Sequence, residues 1–201
     1  MKFLLGKKIG MSQLFDERGN VIPVTWIEAG PCFITQIKTR EKNNYEAIQF
    51  GVNKKEKKIK KTEKGKEFRW LREIRCSREQ TENKELKIGD KIDTSIFKEG
   101  DIIKISGISK AKGFQGVVKR WGFHGAPKTH GTKHALRKGG SIGSTDSARV
   151  FKGRKMAGRM GGKRVTIKNL KIVKIDKDKN LIGIKGAIPG RRGTLLEIKL
   201  S

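Results

Sequence analysis

The sequence has few cysteines and no long apolar run. Its two cysteines, Cys32 and Cys76, stand far apart, with no cysteine or histidine close by in the chain, which excludes the spacing of zinc ligands. We interpret both as small buried side chains in a reducing compartment. The first apolar run covers only residues 3–5, which is too short for a signal peptide, and no later run could cross a membrane. These absences predict a cytoplasmic protein without a membrane partner.

Acidic residues are also scarce. The chain of 201 residues contains 48 lysines and arginines against 20 acids, a formal net charge of +28 and a pI near 10.4. Such an imbalance says little about the fold but indicates an anionic partner. Nucleic acid is the first expectation, and an anionic membrane surface or a merely solvated face are weaker alternatives.

The two ends of the sequence have the pattern of β-strands. Short apolar runs that alternate with polar residues are separated by turn residues, which is typical of an all-β domain. Gly89-Asp90 and Gly100-Asp101 are predicted turns that each feed a strand, and a bulge is predicted near Asn169. Strands are predicted at residues 12–15, 21–29, 33–38, 47–51, 102–108, 164–176, 181–184 and 195–200. Many short strands at this spacing favour a mainly β fold with a small closed barrel.

The middle of the sequence differs in composition. Residues 107–164 hold fifteen lysines and arginines, a single acid and thirteen of the 25 glycines. We therefore predict a β-barrel domain at 1–106 and 165–201, with a basic extension at 107–164 inserted between barrel strands. A second, lysine-rich excursion at 54–72 is predicted to end in a short helix around Trp70. Its glutamates dilute the positive charge, so a solvated face and a binding surface both remain open.

The extension lacks the apolar residues for a core of its own. Its exception is residues 113–123, where Val117, Val118 and Trp121 are predicted to form an apolar stripe on a short helix; packing of that stripe on the barrel is left open. A long segment without a core is usually functional or disordered. Glycines that alternate with cations allow the backbone to come close to phosphates. Proteins recognise folded RNA largely through its shape and through contacts with its backbone. We therefore predict that the extension binds RNA and becomes ordered on it.

The predicted RNA-binding residues are the cations of the extension, with its histidines as a second rank. Phosphate contacts are predicted for Lys110, Lys112, Lys119, Arg120, Lys128, Lys133, Arg137, Lys138, Arg149, Lys152, Arg154, Lys155, Arg159, Lys163 and Arg164. The second rank consists of His124, His130 and His134.

Other chemistries fit the residues less well. The three histidines have no acidic or cysteine neighbours for a metal, and the phosphate-loop pattern fails at Ala157 and Arg164. No pair of acids marks general acid–base catalysis, and most aromatic residues are interpreted as core. We predict no enzyme activity, metal, cofactor or small-molecule substrate. The alternatives are an enzyme acting on RNA or nucleotides through the histidines, and a protein that compacts DNA.

Several blocks of sequence resemble a known family. The strings GKKIGMSQLF, VTWIEAGPCFITQIKT, KGFQGVVKRWGF, FKGRKMAGRMGG and LIGIKGAIPG are similar to the bacterial large-subunit ribosomal protein of the L-three family, in the same order along nearly the whole chain. Residues 53–72 are the least similar part. The resemblance therefore implies a structural ribonucleoprotein component of the cytoplasmic large ribosomal subunit that functions in translation.

The same resemblance implies finer features. It implies a six-stranded barrel like those of translation factors, and an extension that passes through ribosomal RNA toward the peptidyl-transferase centre. It also implies a part in early subunit assembly and contacts with neighbouring ribosomal proteins. The tip of the extension falls at Gly143, Ser144, Thr145 and Asp146. The chain has no glutamine after Gln115, so the methylated tip glutamine of some relatives is predicted to be absent, and Asp146 is interpreted as a turn cap.

Overall fold

The chain folds mainly into β-strands. The computed structural model describes residues 2–56, 59–63, 65, 67–75 and 87–201. Their strands are β1 (Phe3–Phe15), β2 (Val21–Ala29), β3 (Cys32–Lys38), β4 (Ala47–Lys54), β5 (Phe68–Arg75), β6 (Lys91–Ile92), β7 (Ile102–Ile108), β8 (Phe114–Gln115), β9 (Gly158–Arg159), β10 (Arg164–Asp176), β11 (Leu181–Lys185) and β12 (Leu195–Leu200). The helices α1 (Arg40–Asn43) and α2 (Val117–Trp121) are short, as are the 3-10 turns Lys61–Glu63 and Thr94–Ile96. The prediction of a mainly β fold is confirmed.

Six strands pair in a closed ring. Their order is β1-β12-β7-β10-β11-β2, every pairing is antiparallel, and β2 pairs back to β1. The first and last strands of the chain are therefore neighbours, with Phe3 opposite Lys199. The two strands on either side of the glycine-rich part, β7 and β10, are also neighbours, with Ile108 opposite Arg164. The chain thus leaves and re-enters this barrel at adjacent positions.

The barrel interior is built from alternate strand residues. Leu196 and Ile198 of β12 and Ile103 and Ile105 of β7 are fully buried, while their sequence neighbours are more exposed. Successive side chains of a strand point to opposite faces, so a period of two in the sequence produces one apolar face. β-Branched isoleucine suits such a pleated surface. These positions belong to one continuous core cluster, which fixes the strands around the ring.

One predicted strand irregularity and two predicted turns are present in the structure. The pairing of β10 with β7 shifts register between Ile167 and Leu170, and Asn169 between them has a φ of 58°. Asparagine is among the few residues other than glycine that adopt this left-handed conformation readily. The predicted bulge is therefore confirmed. The two predicted Gly-Asp turns are confirmed too: the amides of Asp90 and Asp101 each donate to a carbonyl three residues earlier.

A second sheet joins the barrel in the same structural unit. Its order is β5-β4-β3-β6, and Phe50 of β4 packs against Phe3 of β1 with ring centroids 5.0 Å apart. Residues 68–75 form strand β5 instead of the predicted short helix. The reason is tertiary pairing, because Trp70 lies opposite Val52 of β4. Part of the lysine-rich excursion, residues 57–58, 64 and 66, lies outside the described residues, so its binding role stays a prediction.

Cys32 has the environment expected of a structural thiol. It is fully buried in the core, and the amide of Leu5 donates to its Sγ over 3.3 Å. Burial raises the pKa of this thiol to about 12, so Cys32 is protonated at neutral pH and unreactive. Cys76 lies outside the described residues.

The chain divides into two compact units. One comprises Met1–Ile108 and Arg164–Ser201 and contains the barrel and the second sheet, and the other is Ser109–Lys163. Gly107 and Ile108 pair with β10 in the first unit. We call Ser109–Lys163 the basic segment. No helix in the described parts of the chain is long and apolar enough to cross a membrane.

Candidate nucleic-acid interface

The basic segment has no buried residue. All of its positions, from Ser109 to Lys163, are described, and each is exposed or partly exposed. Its sequence contains fourteen lysines and arginines and one acid, Asp146. A folded unit normally derives its stability from buried apolar area, which this segment does not have. Its charge and shape therefore have to be explained by contacts other than a core of its own.

Backbone hydrogen bonds hold the two ends of the segment together. The amide of Ser109 donates to the carbonyl of Lys163, and the amide of Lys112 donates to that of Met160, each over 2.9 Å. The short strands β8 and β9 pair next to them, with Phe114 opposite Arg159. These bonds make a narrow two-stranded stem, which ends at helix α2.

Two glycines make the close approach of the chain to itself possible. Gly161 has a φ of 72°, and a Cβ placed there would lie 2.0 Å from the carbonyl oxygen of Lys110. Gly125 has a φ of 76°, and its Cβ would lie 2.3 Å from the carbonyl oxygen of Leu136. Both contacts are far too short for any side chain. These two glycines therefore serve contacts within the segment, a purpose that sequence reasoning about phosphates alone did not identify.

Helix α2 is tied to the returning part of the chain. The carbonyl oxygen of Met156 accepts hydrogen bonds from Arg120 Nη1 over 2.7 Å and from Trp121 Nε1 over 2.9 Å. The Arg120 guanidinium also lies 5.0 Å from the centre of the Trp121 ring. Arg120 is therefore only partly exposed, and its donors are partly used within the protein. It is the least available of the predicted phosphate contacts inside the segment.

The other predicted contacts within the segment are all exposed. They are Lys110, Lys112, Lys119, Lys128, Lys133, Arg137, Lys138, Arg149, Lys152, Arg154, Lys155, Arg159 and Lys163. Arg154 in addition donates to the carbonyl of Ser141. The remaining predicted contact, Arg164, belongs to β10, where its guanidinium pairs with Glu197. Arg72 approaches the same carboxylate at 3.4 Å, so Arg164 is a weaker candidate for phosphate contact than the cations of the segment.

The three histidines are exposed and do not converge on a metal site. His124, His130 and His134 all lie on the surface of the segment. Among the described residues, no cluster of three histidine, cysteine or acidic side chains could hold a metal ion. Their exposure leaves both ring nitrogens of each accessible for hydrogen bonds with a ligand.

The predicted tip is an exposed loop. Gly143, Ser144, Thr145 and Asp146 are all exposed, and the hydroxyl of Ser141 donates to the carbonyl of Gly143 over 2.7 Å. Asp146 lies in a turn, as interpreted from the sequence. Its carboxylate, however, has no hydrogen-bond partner within the described chain, so the structure does not support a capping role for this side chain.

Exposed aromatic side chains are the feature that the sequence reasoning missed. Phe114, Trp121 and Phe151 are 77%, 43% and 58% exposed, although most aromatic residues were interpreted as core. Arg149 lies 5.7 Å from the ring centre of Phe151. The sequence does contain a sign of their exposure, because these aromatic residues stand next to cations in a stretch that has no core. Aromatic rings beside cations are suited to stacking on nucleobases.

Comparison with known proteins agrees with this picture. The family profile described as "Ribosomal protein L3" matches residues 52–188. Similar proteins include the large ribosomal subunit protein uL3 of Dehalococcoides mccartyi, 48% identical over 98% of this chain and 96% of that protein. The uL3 of Carboxydothermus hydrogenoformans is 49% identical over 98% of this chain and 96% of that protein. The uL3 of Chloroherpeton thalassium is 47% identical over the full length of both chains.

Proposed function

Because this chain belongs to the ribosomal protein L3 family, we propose that its basic segment binds the ribosomal RNA of the large subunit. The family membership makes the chain a structural component of the large ribosomal subunit that takes part in translation, and not an enzyme. Binding of RNA by the segment Ser109–Lys163 goes beyond that membership and rests on the physical properties of the segment.

One observation carries the proposal: a segment with thirteen exposed cations has one acid and no buried residue. Like charges at this density repel one another, and an anionic partner relieves the repulsion. Phosphates of RNA provide such a partner at regular spacing, and their binding releases condensed counterions. RNA therefore supplies the charge balance and the contact surface that the segment does not provide for itself.

The shape of the segment favours folded RNA over an open surface. Its stem is only two strands wide at Phe114 and Arg159, and glycines elsewhere in the segment leave little side-chain bulk. Folded RNA excludes side chains from its deep major groove and is engaged through phosphates, 2′-hydroxyls and unpaired bases. A narrow cationic segment fits between packed RNA helices, whereas a broad surface would not.

Finer parts of the proposal follow the family resemblance. We propose that the barrel, similar to those of translation factors, is a rigid mount for the segment, and that the tip at residues 143–146 points toward the peptidyl-transferase centre. The barrel would contact neighbouring ribosomal proteins, and the chain would join the large subunit early in assembly in the cytoplasm. The inserted position of the segment between β7 and β10 supports the role of the barrel as its mount.

The test is sedimentation of the full-length tagged protein from cells. We expect it to migrate with large ribosomal subunits and to remain bound after a high-salt wash, because a segment enclosed between packed RNA helices leaves only when the RNA itself opens. Competition with the purified protein then separates RNA from DNA: a folded large-subunit RNA fragment should displace bound RNA better than duplex DNA of equal length. Migration at the top of the gradient, or equal competition by DNA, would contradict the proposal.

A further inference from the structure

The basic segment contains one cavity that its phosphate contacts do not explain. It is bordered by Trp121, the last residue of helix α2, has a volume of about 750 Å³ and is lined by residues of the segment alone. Trp121 and Phe123 supply its aromatic surface, and Ala126 and Ala135 supply small apolar walls. This volume falls within the range of about 300–1,000 Å³ typical of pockets for small ligands.

The aromatic surface of the cavity is fixed in place. The indole N–H of Trp121 is held by the carbonyl of Met156 at 2.9 Å. Phe123 packs against Gly139, where an added Cβ would lie 3.5 Å from the phenyl ring. This is an ordinary van der Waals distance, so Trp121 is the ring whose position the structure fixes by a hydrogen bond. An aromatic ring that is already held by contacts within the protein loses little further side-chain entropy when a ligand binds to its free face.

Basic side chains border this aromatic surface. His124, Lys138 and Lys155 line the same cavity, and Lys155 Nζ lies 5.8 Å from the centre of the Trp121 ring. Lys138 and Lys155 are exposed, and no acidic residue is among those that line the cavity. A ligand that fits this arrangement has a flat aromatic part and an adjacent anionic part.

We propose that the cavity lined by Trp121 and Phe123 receives an unpaired base of RNA, with the phosphates on either side of that base held by Lys138 and Lys155. An unpaired nucleotide combines a flat aromatic ring with phosphates, and unpaired bases of folded RNA stack on aromatic side chains. Stacking is tolerant of base identity because every base has an aromatic face. This inference rests on the proposed function, because the base is part of the RNA that the segment binds.

The experiment compares two probes on the full-length protein: a single-stranded RNA oligonucleotide, and an oligonucleotide of equal length with the same phosphates but without bases. The wild-type protein should prefer the RNA by about 5- to 150-fold, the contribution of one stacked base. Trp121→Ala should abolish most of that preference. Phe15→Ala is the matched control, because Phe15 at the end of β1 is an exposed aromatic residue outside the basic segment and outside the cavity, and it should keep the preference.

A second variant guards against loss of local structure in Trp121→Ala. Trp121→Phe removes the hydrogen bond to the carbonyl of Met156 but keeps an aromatic face, and it should retain most of the preference for bases. A wild-type protein that binds both probes equally, a preference that survives Trp121→Ala, or an equal loss of preference in Trp121→Phe and Trp121→Ala, would overturn the base pocket while leaving phosphate binding intact. Failure of the proposed function looks different, because then neither probe binds in a salt-dependent manner.

Discussion

Removal of exposed cations from the basic segment should lower the salt dependence of RNA binding. The variant replaces Lys128, Lys133, Arg137 and Lys152 by glutamine. All four side chains are exposed, and none takes part in the hydrogen bonds that hold the stem or helix α2. The substitutions therefore test charge without removing a contact that maintains the local structure.

The expected magnitude follows from counterion release. Each phosphate contact contributes about 0.7 to 0.9 to the slope of log affinity against log salt concentration, so four lost contacts should reduce that slope by about 3. For the wild-type protein with six to ten contacts, affinity should fall by roughly 10³- to 10⁵-fold between 50 and 200 mM salt. Filter binding of a large-subunit RNA fragment over this salt range measures both values.

The matched control removes the same charge from the barrel. Lys171, Lys174, Lys177 and Lys179 lie on β10 and in the turn after it, and all four are exposed. Their replacement by glutamine lowers the net charge equally but should change the slope much less. An equal change in slope from both sets would refute the assignment of RNA binding to the basic segment, because total charge alone would then account for the affinity.

Three further predictions concern stability and the shape of the segment. Leu196→Ala in the fully buried core should lower the free energy of unfolding by about 2–5 kcal/mol, measured by urea denaturation; a cost below about 1 kcal/mol would contradict the assigned core. Gly161→Ala should weaken RNA binding more than Gly131→Ala, measured in the same filter assay. Both glycines have positive φ values, 72° at Gly161 and 80° at Gly131, but only at Gly161 would a Cβ lie 2.0 Å from a carbonyl oxygen. Equal effects of the two substitutions on RNA binding would contradict this steric reason. The hydrogen bond from Lys38 lowers the pKa of Glu73 in the folded protein below its ordinary value of 4.5. Because the folded-state pKa is lower than the unfolded-state pKa, the contribution of this bond to stability is complete above pH 4.5 and is lost as the pH falls through the folded-state pKa. The urea midpoint of Glu73→Gln should therefore be lower than that of the wild-type protein at pH 7, and the difference should shrink as the pH falls below 4.5, whereas a constant difference would contradict the assignment.

Much of the barrel could be predicted from the sequence because apolar and polar residues alternate along its strands. Apolar and polar residues alternate over 103–106 and 196–200, and the structure gives β7 and β12 the predicted bounds, 102–108 and 195–200. The first part of β1 was missed because Leu4 and Leu5 are both fully buried, which removes the alternation. Strand β5 was predicted as helix because Trp70 and its neighbours acquire their strand geometry from pairing with β4, which local sequence does not encode.

The candidate interface was predicted in outline but not in its internal contacts. Counting charges identified the cations of the segment, and their exposure agrees with availability to a partner. Sequence spacing gave no indication that the Arg120 guanidinium bonds to the carbonyl of Met156, or that Arg164 pairs with Glu197. Both contacts depend on residues more than thirty positions away in the chain, and such pairings are set by the fold as a whole.

Amide hydrogen exchange of the full-length protein, with and without large-subunit ribosomal RNA, tests most directly whether RNA serves as the packing partner of the basic segment. In the free protein, amides of residues 124–155 should exchange rapidly while those of β7 and β12 are protected, because the segment has no buried residue. Addition of RNA should slow exchange across the segment and leave the barrel unchanged. Protection of the segment equal to that of the barrel in the free protein, unaltered by RNA, would contradict this role.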